Sequence, residues 1–319
     1  MDDYTRALRN TFVADSIDRL HQNREDTDWL EKALSDPESR FFLLVKDSIV
    51  ITSEASPYSQ IFYSGIALAL ASQATSVILL GRVEEHLYFA LAYEEMPVFD
   101  AKNNQLCDLR DIATDLNPDE SALLAQAKGM VVWHRHNQFC SVCGTPTRST
   151  EAGYTRICTN PACGQLHFPR TDPAVIVLVT EDNRCLLGRQ ARWAKGRYSN
   201  IAGFVEPGES LETAVAREVW EETGIRLEAI HYHSSQPWTF PSSLMLGFNA
   251  TASSRTINRN DGELEDARWF TREELRTALS QGTVSMPSTY SISFHLIEDW
   301  FDAGDCGELR DYQPLTEMK

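Results

Sequence analysis

The chain is 319 residues long, enough for about two domains, and 42% of it is hydrophobic, enough to build cores. Its net charge of −17 argues against nonspecific attraction of the whole surface to DNA or acidic membranes. The opening MDDYTRALRNTFVADSIDRL has no apolar segment of the secretory kind, no run of about 18 apolar residues occurs, and the final EMK is not a peroxisomal address. A cytoplasmic protein without a membrane partner is expected.

Residues 1–128 read as an N-terminal α+β domain. Short strand-like runs (Phe41–Val45, Ser48–Thr52, Ser76–Leu80 and Leu87–Ala92) are bounded by Asp, Ser, Gly and Pro, and a helical stretch at Asp119–Lys128 leads onward. This part carries no recognisable chemistry. Arg110 is a lone cation that either reaches a phosphate or solvates the surface. No internal repeat or low-complexity segment is present.

Residues 134–170 form a cysteine-bearing unit. Cys140, Cys143, Cys158 and Cys163 are separated by two, fourteen and four residues. Two close pairs across a hairpin-sized insert suit one tetrahedral thiolate site, because each short knuckle offers two sulfurs to one Zn²⁺. Disulfides are disfavoured in a reducing cytosol, and a redox pair lacks its thioredoxin-like context. One structural zinc per chain is expected, with His134, His136 and His167 as flanking substitutes that four cysteines make unnecessary. Cys107, Cys185 and Cys306 are isolated and read as ordinary small residues. Between His134 and Arg197 stand nine Lys and Arg against four Asp and Glu, a local excess of five positive charges. Such a strip either draws in an anionic substrate or merely solubilises the surface.

Residues 171–304 form the third unit, followed by a tail at 305–319. Pro173–Val179 is a buried strand by composition, an Asp182-Asn183 turn follows, and Arg184–Arg189 is its partner. Further strands are expected at Tyr198–Phe204, Ala229–Ser234, Leu244–Ala250 and Ala267–Phe270, with helices at Arg272–Gln281 and Ser291–Asp302. A mixed sheet flanked by helices is an α/β/α sandwich in layer terms.

The stretch Gly203–Ile225, GFVEPGESLETAVAREVWEETGI, is a glycine-containing loop leading into a helix crowded with carboxylates. Ser210 suits the N-cap, and Gly224 suits the left-handed position that ends a helix. At about 100° per residue, Leu211, Ala214, Val215 and Val219 form one apolar arc. Glu218 and Glu222 fall inside that arc, Glu221 lies beside it, and Trp220 points the other way. Three such glutamates are either a solvated last turn or a site that needs a cation, since buried carboxylates are costly unless paired or bound to metal. The negative end of the helix dipole worsens their placement, and hard divalent ions take oxygen ligands of this kind.

The spacing of Gly203, Glu209 and Arg217-Glu218-Val219-Trp220-Glu221-Glu222-Thr223-Gly224-Ile225 resembles the Nudix box at each signature position. That resemblance implies the Nudix α/β/α sandwich and a Mg²⁺- or Mn²⁺-dependent hydrolase of nucleoside diphosphates linked to another group. Between two expected strands, a loop at Ser235–Met245 carries two prolines that stiffen Trp238 and Phe240, either to stack a flat ring or to pack on the core. With the four cysteines it resembles the SQPWPFPxSLM signature of the NADH pyrophosphatase branch, Thr239 standing where Pro is usual. FPRTDPAVI at Phe168–Ile176 and AGFVEPGES at Ala202–Ser210 are similar to that branch as well.

The branch implies cleavage of NADH or NAD⁺ at the pyrophosphate, and it includes enzymes that remove an NAD cap from RNA 5′ ends. Glu218 and Glu222 are then the principal metal ligands, with Glu263 and the Ala202 carbonyl completing the set and Glu221 a supporting ligand or base. Arg217 orients Glu221 by an i,i+4 pair, and Glu209 fixes the loop onto the helix. Gln236, Pro237, Trp238, Thr239, Phe240, Pro241, Ser242 and Ser243 hold one base, Phe168 offers a second wall, and Ser293 a weaker contact. A homodimer is implied too. The alternatives are a Nudix hydrolase of another nucleoside diphosphate derivative, and a nucleotide-sensing, nucleic-acid-binding zinc and Nudix regulator that does not cut.

Overall fold

The computed structural model describes residues 2–52, 67–97, 104–260 and 262–312. They fall into two compact units. One comprises residues up to Thr11 with Asp172–Pro237 and the chain from Ser243 onward; the other comprises Phe12–Thr171 with Trp238–Ser242.

The elements run as follows: α1 (Asp3–Ala7), α2 (Thr27–Ser35), β1 (Arg40–Val45), β2 (Ser48–Thr52), α3 (Ala67–Ala71), β3 (Ser76–Val83), β4 (His86–Tyr93), β5 (Asn104–Cys107), α4 (Leu109–Ile112) and α5 (Pro118–His136). Then come β6 (Thr147–Thr150), β7 (Thr155–Cys158), β8 (Leu166–His167), β9 (Asp172–Glu181), β10 (Arg184–Gln190) and β11 (Ile201–Phe204). The last are α6 (Leu211–Thr223), β12 (Leu227–Trp238), β13 (Ser243–Ala252), β14 (Leu264–Thr271), α7 (Arg272–Ser280) and α8 (Ile292–Asp302).

In the first unit the sheet order is β12-β13-β9-β10-β14, with β11 paired to β9. β9 shows why two helical layers form. Val175, Val177 and Val179 point to one face, where they meet Ala214, Val215 and Val219 of α6. Ile176 and Leu178 point to the other, against Leu275 and Leu279 of α7 and Phe294, Leu296 and Ile297 of α8. A strand buried on both faces reads as a continuous apolar run because the period of two is hidden when both faces are apolar. This is the expected α/β/α sandwich.

Two segments join this unit unexpectedly. Arg9 donates to Glu298 at 2.9 Å and Asp299 at 2.7 Å, and Asn10 donates to Ser234 Oγ at 3.0 Å, so the first residues belong here rather than with 12–128. Beyond 304, Cys306 and Leu309 are buried in the α7–α8 core, so the chain is packed through Tyr312. Residues 313–319 of the expected tail lie outside the described residues.

In the second unit a five-stranded sheet is ordered β3-β4-β1-β2-β5, with β1 and β4 parallel. Phe41, Leu43 and Val45 face a core that includes Leu20, Ala33 and Leu70. α5 packs on β1, β3 and β4. It starts at the N-cap Asn117 with Pro118 in its first turn and runs past the expected end at Lys128 to His136. Val131, Val132, Trp133 and His134 are all buried, so this last part has no wet face and shows no helical period. After it, β6, β7 and β8 form the small antiparallel sheet of the cysteine unit. Among the described residues no helix is long and apolar enough to cross a membrane.

Candidate active site

α6 forms as its sequence dictates. Ser210 caps it through Thr213 N–H, and Gly224 ends it at φ 69°. Ala214, Val215 and Val219 are buried, Glu222 is only 3% exposed among them, and Trp220 is exposed. The apolar arc thus carries a carboxylate into the domain.

Arg217 organises the charges. Its Nε donates to Glu209 Oε1 at 2.7 Å, Nη1 to Glu218 Oε1 at 2.8 Å and Glu221 Oε2 at 3.0 Å, and Nη2 to Glu209 Oε2 and the Phe204 carbonyl, both at 2.9 Å. All five guanidinium N–H groups are used. Glu209 also accepts from Glu206 N–H at 3.0 Å, and Arg217 holds its carboxyl down at about 2. The loop is therefore bolted to the helix through Glu209, as expected. Arg217 orients Glu221, as expected, and Glu218 as well.

Gly203 sits under this cluster. β11 pairs it with Val175 and Ala202 with Ile176, and a Cβ built on Gly203 would overlap the Glu218 carboxylate. Glycine is required for the close approach rather than for an unusual dihedral. Gly203→Ala is expected to keep the fold, since the far end of a flexible side chain is what must move. Misplacing Glu218 should cut turnover by about 10²-fold. Full activity with an unchanged melting temperature would show that Glu218's position is unimportant.

By chemistry the donor set, carboxylate oxygens, is of the kind hard divalent cations take, although the ligand atoms of these glutamates do not gather within 4.8 Å of one another. Glu209, Glu218 and Glu221 share one guanidinium, and Glu222 is buried nearby in sequence on the same helix. Burial pushes the Glu218 carboxyl up, Arg217 opposes this, and the charges of Glu221 and Glu263 add to the rise. Glu263 is thus within electrostatic reach of the box. A site with this surplus of carboxylate is completed by added positive charge.

The four cysteines form a second metal-type cluster. Among the described residues it is the one group of three or more ligating side chains whose ligand atoms all lie within 4.8 Å of one another. Cys140 Sγ and Cys163 Sγ are 3.9 Å apart, and Cys143 Sγ and Cys158 Sγ 3.4 Å, too long for disulfides and near the edge of a tetrahedron with Zn–S bonds of about 2.3 Å. Val142 N–H and Asn160 N–H each donate to a sulfur at 3.4 Å. Hydrogen bonds from Thr145 pull the Cys143 thiol down to about 6, whereas burial pushes Cys158 up to about 12. Four sulfurs this close cannot all ionise without a cation, and zinc supplies one. His134 is no substitute ligand, since its ring bonds Gly153 O and Arg156.

The aromatic loop is shorter than expected. β12 continues through Trp238 as an edge strand, which tolerates Pro237. Phe240 meets Trp238 edge-on at 5.2 Å and Phe12 at 5.9 Å, with Arg110 at 5.1 Å and Lys128 at 5.4 Å over its ring. Thr239 lies against Gly129 of α5, where a Cβ would stand 3.1 Å from its methyl. Gln236 is different. It is fully buried, donates to the Thr11 and Tyr290 carbonyls and accepts from Ile292 N–H, so its amide braces β12 instead of facing a base. Ser293 is likewise buried, bonded to Ser199 Oγ and Asn200 Oδ1. Phe168 is 62% exposed.

Three family models match in tandem: a NADH pyrophosphatase-like rudimentary NUDIX domain at 38–133, a NADH pyrophosphatase zinc ribbon domain at 135–168, and a NUDIX domain at 170–289. An NAD-capped RNA hydrolase NudC from Mycobacterium bovis is 37% identical over 90% of this chain and 92% of its own. The chain belongs to the NADH pyrophosphatase branch of the Nudix hydrolases. The NAD-capped RNA hydrolase NUDT12 of Homo sapiens is 33% identical over 91% of this chain and 73% of its own. A solved NUDIX hydrolase from Nitrosomonas europaea aligns with 22% identity and a TM-score of 0.43, covering 56% of this chain and 94% of that one.

For a member of this branch, the sequence alone had not singled out Lys128. It is buried on α5, donates to Asp47 O at 2.7 Å, and pairs with Asp108 at 3.5 Å. The available signal was a lysine one helical turn from both Leu124 and Val131, on an otherwise apolar face.

Proposed function

We propose that this enzyme hydrolyses the pyrophosphate bond of NAD(H), giving NMN(H) and AMP, and frees RNA 5′ ends from NAD caps by the same cut. The observation that carries hydrolysis over sensing is the intact lattice of Glu209, Arg217, Glu218 and Glu221, with Glu222 buried beside it in the helix. A nucleotide sensor has no need to hold so many carboxylates together against their repulsion. The substrate reading rests on the named relatives over most of the chain and on the aromatic loop.

Glu218, Glu222 and Glu263, with the Ala202 carbonyl, would hold Mg²⁺ or Mn²⁺. When bound, such an ion neutralises charge on the pyrophosphate and lowers the pKa of water. The chain's own groups do the rest. Arg217 fixes Glu218 and Glu221 in register with the loop, so little reorganisation is needed during the reaction. Glu221, the more exposed of these two, would be a supporting ligand or take a proton from the attacking water. The water oxygen bonds to one phosphorus, the bridging P–O bond breaks, and two monophosphates leave. Trp238 and Phe240 form the ring platform, Thr239, Pro241, Ser242 and Ser243 shape it, Gln236 and Pro237 set its strand, and Phe168 offers a second wall. The enzyme would act in the cytoplasm, and as a homodimer whose mass light scattering would measure.

Incubation with NADH and Mg²⁺ or Mn²⁺ should release AMP, and NAD-capped RNA should yield a 5′-monophosphate end. Nucleotide binding without any AMP from either substrate would establish the sensor instead.

A further inference from the structure

The basic strip around the cysteine unit contains a charge that the hydrolytic reading leaves unused. Arg156, on the central strand β7, is 8% exposed. Its Nε donates to Thr147 Oγ1 at 2.7 Å, its Nη2 to Thr147 O at 3.0 Å, and its Nη1 bonds His134 Nδ1 at 2.8 Å. Every one of these acceptors is neutral. His134 Nε2 lies 2.8 Å from the Gly153 carbonyl, which can only accept. The proton therefore sits on Nε2, leaving Nδ1 as the acceptor for Arg156. Burial pulls His134 down to about 4, so the ring adds no charge at neutral pH, and it supplies no counter-charge either.

Among the described residues no carboxylate lies within ion-pair distance of Arg156. A buried guanidinium with neutral partners and no counter-charge is costly. The negative end of α5, whose last turn carries His134, offers only the partial charge of a helix terminus. The helix dipole is too small to settle that charge. Arg156 instead lines a cavity of about 400 Å³ together with Arg135, Gln138, Ser76, Thr147 and Phe139. That volume lies within the range of ligand pockets, roughly 300–1,000 Å³. The Ser76 and Thr147 hydroxyl protons are committed to backbone carbonyls, and Arg135 Nε donates to Glu94 at 3.2 Å, so the donors left for a ligand are the two unused Arg156 N–H groups, the terminal Nη groups of Arg135 and the Gln138 amide.

We propose that this cavity between β3, β4, the end of α5 and the cysteine-bearing sheet binds a phosphate group, with Arg156 at its floor and Arg135 at its rim. Forked donors on two sides match a tetrahedral oxyanion better than a single ammonium would. Phosphate can arrive free or as part of a nucleotide, and the two sources are separated by the probe used.

The test is calorimetric titration of the full zinc-loaded chain with inorganic phosphate, and separately with AMP, at low salt. Inorganic phosphate should bind at one site per chain. Gln138→Glu, an exposed substitution that places an anion at the rim, should weaken it about tenfold while leaving the melting temperature unchanged. Arg156→Gln should abolish it, and Gln138→Glu keeps the proposal testable if that variant misfolds. AMP binding weakened in step with phosphate in Gln138→Glu assigns the site to nucleotide phosphates, and AMP binding indifferent to Gln138→Glu assigns it to free phosphate. Absence of phosphate binding, or binding unaltered in Gln138→Glu, overturns the proposal.

Discussion

Glu222→Gln should cut metal-dependent AMP release from NADH by about 10²-fold or more. That factor corresponds to about 2.7 kcal/mol of barrier. The substitution is nearly isosteric, and Glu222 is packed on α6 at 3% exposure among Val215, Val219 and Thr223, so the helix should not move. What changes is one negative charge on a buried side chain. Glutamine keeps the side chain's shape and its hydrogen-bonding reach, so without divalent ion the variant should melt close to the natural chain. With Mg²⁺ or Mn²⁺ the natural chain should gain thermal stability and the variant should gain less, since only the former offers the full carboxylate set. The pairing of lost activity with a retained fold and a smaller metal-induced gain is the signature of a ligand. A variant that loses activity and melts much lower would make Glu222 a structural residue. A variant that keeps full activity would mean the cation sits elsewhere.

How much of this site could be read in advance depended on how local its partners were. The cap at Ser210, the left-handed Gly224, the Arg217–Glu221 pair and the outward Trp220 all rest on contacts within one helix or its flanks, and periodicity reaches them. The seat of Glu218 over Gly203 was not legible, because β11 must first be seated beside β9. Gln236 was out of reach. A polar side chain just before a proline reads as a loop contact, yet its partners are the backbones of Thr11, Tyr290 and Ile292, up to 225 residues away. Ser293 fails for the same reason, its hydroxyl being spent on Asn200. The sheet core was legible at β9 and β10 because strands buried on both faces announce themselves by composition. The short polar helices α1 and α2 and strand β5 carry no such excess. Cys306, Leu309 and Tyr312 recur every third residue, and that spacing was the available sign that the chain stays packed beyond 304.

Stripping zinc from the four-cysteine site should unfold the β6–β8 sheet while the carboxylate site keeps its own cation. The two sites are chemically distinct. Four thiolates favour zinc, whereas carboxylate and carbonyl oxygens favour harder ions. Structural zinc contributes about 10–16 kcal/mol to small zinc modules at neutral pH, comparable with the whole stability of a domain, about 5–15 kcal/mol. Apart from the metal, this sheet is held by little: three short strands, the Arg156–Thr147–His134 bonds, and few large apolar side chains. Phe139, Val142, Leu166 and Phe168 are all exposed, so the unit lacks the interior that would let it stand alone. A thiol-selective chelator, or Cys158→Ser, should release one zinc per chain and open residues 138–168 to protease. The same treatment should leave Gly203–Ile225 resistant, since α6 is seated on β9 and β11 by its own apolar face. Glu222→Gln should in turn retain its zinc in full. If chelation leaves the ribbon as protease-resistant as before, the cysteines are not its staple. If Glu222→Gln loses zinc, the two metal sites are not independent.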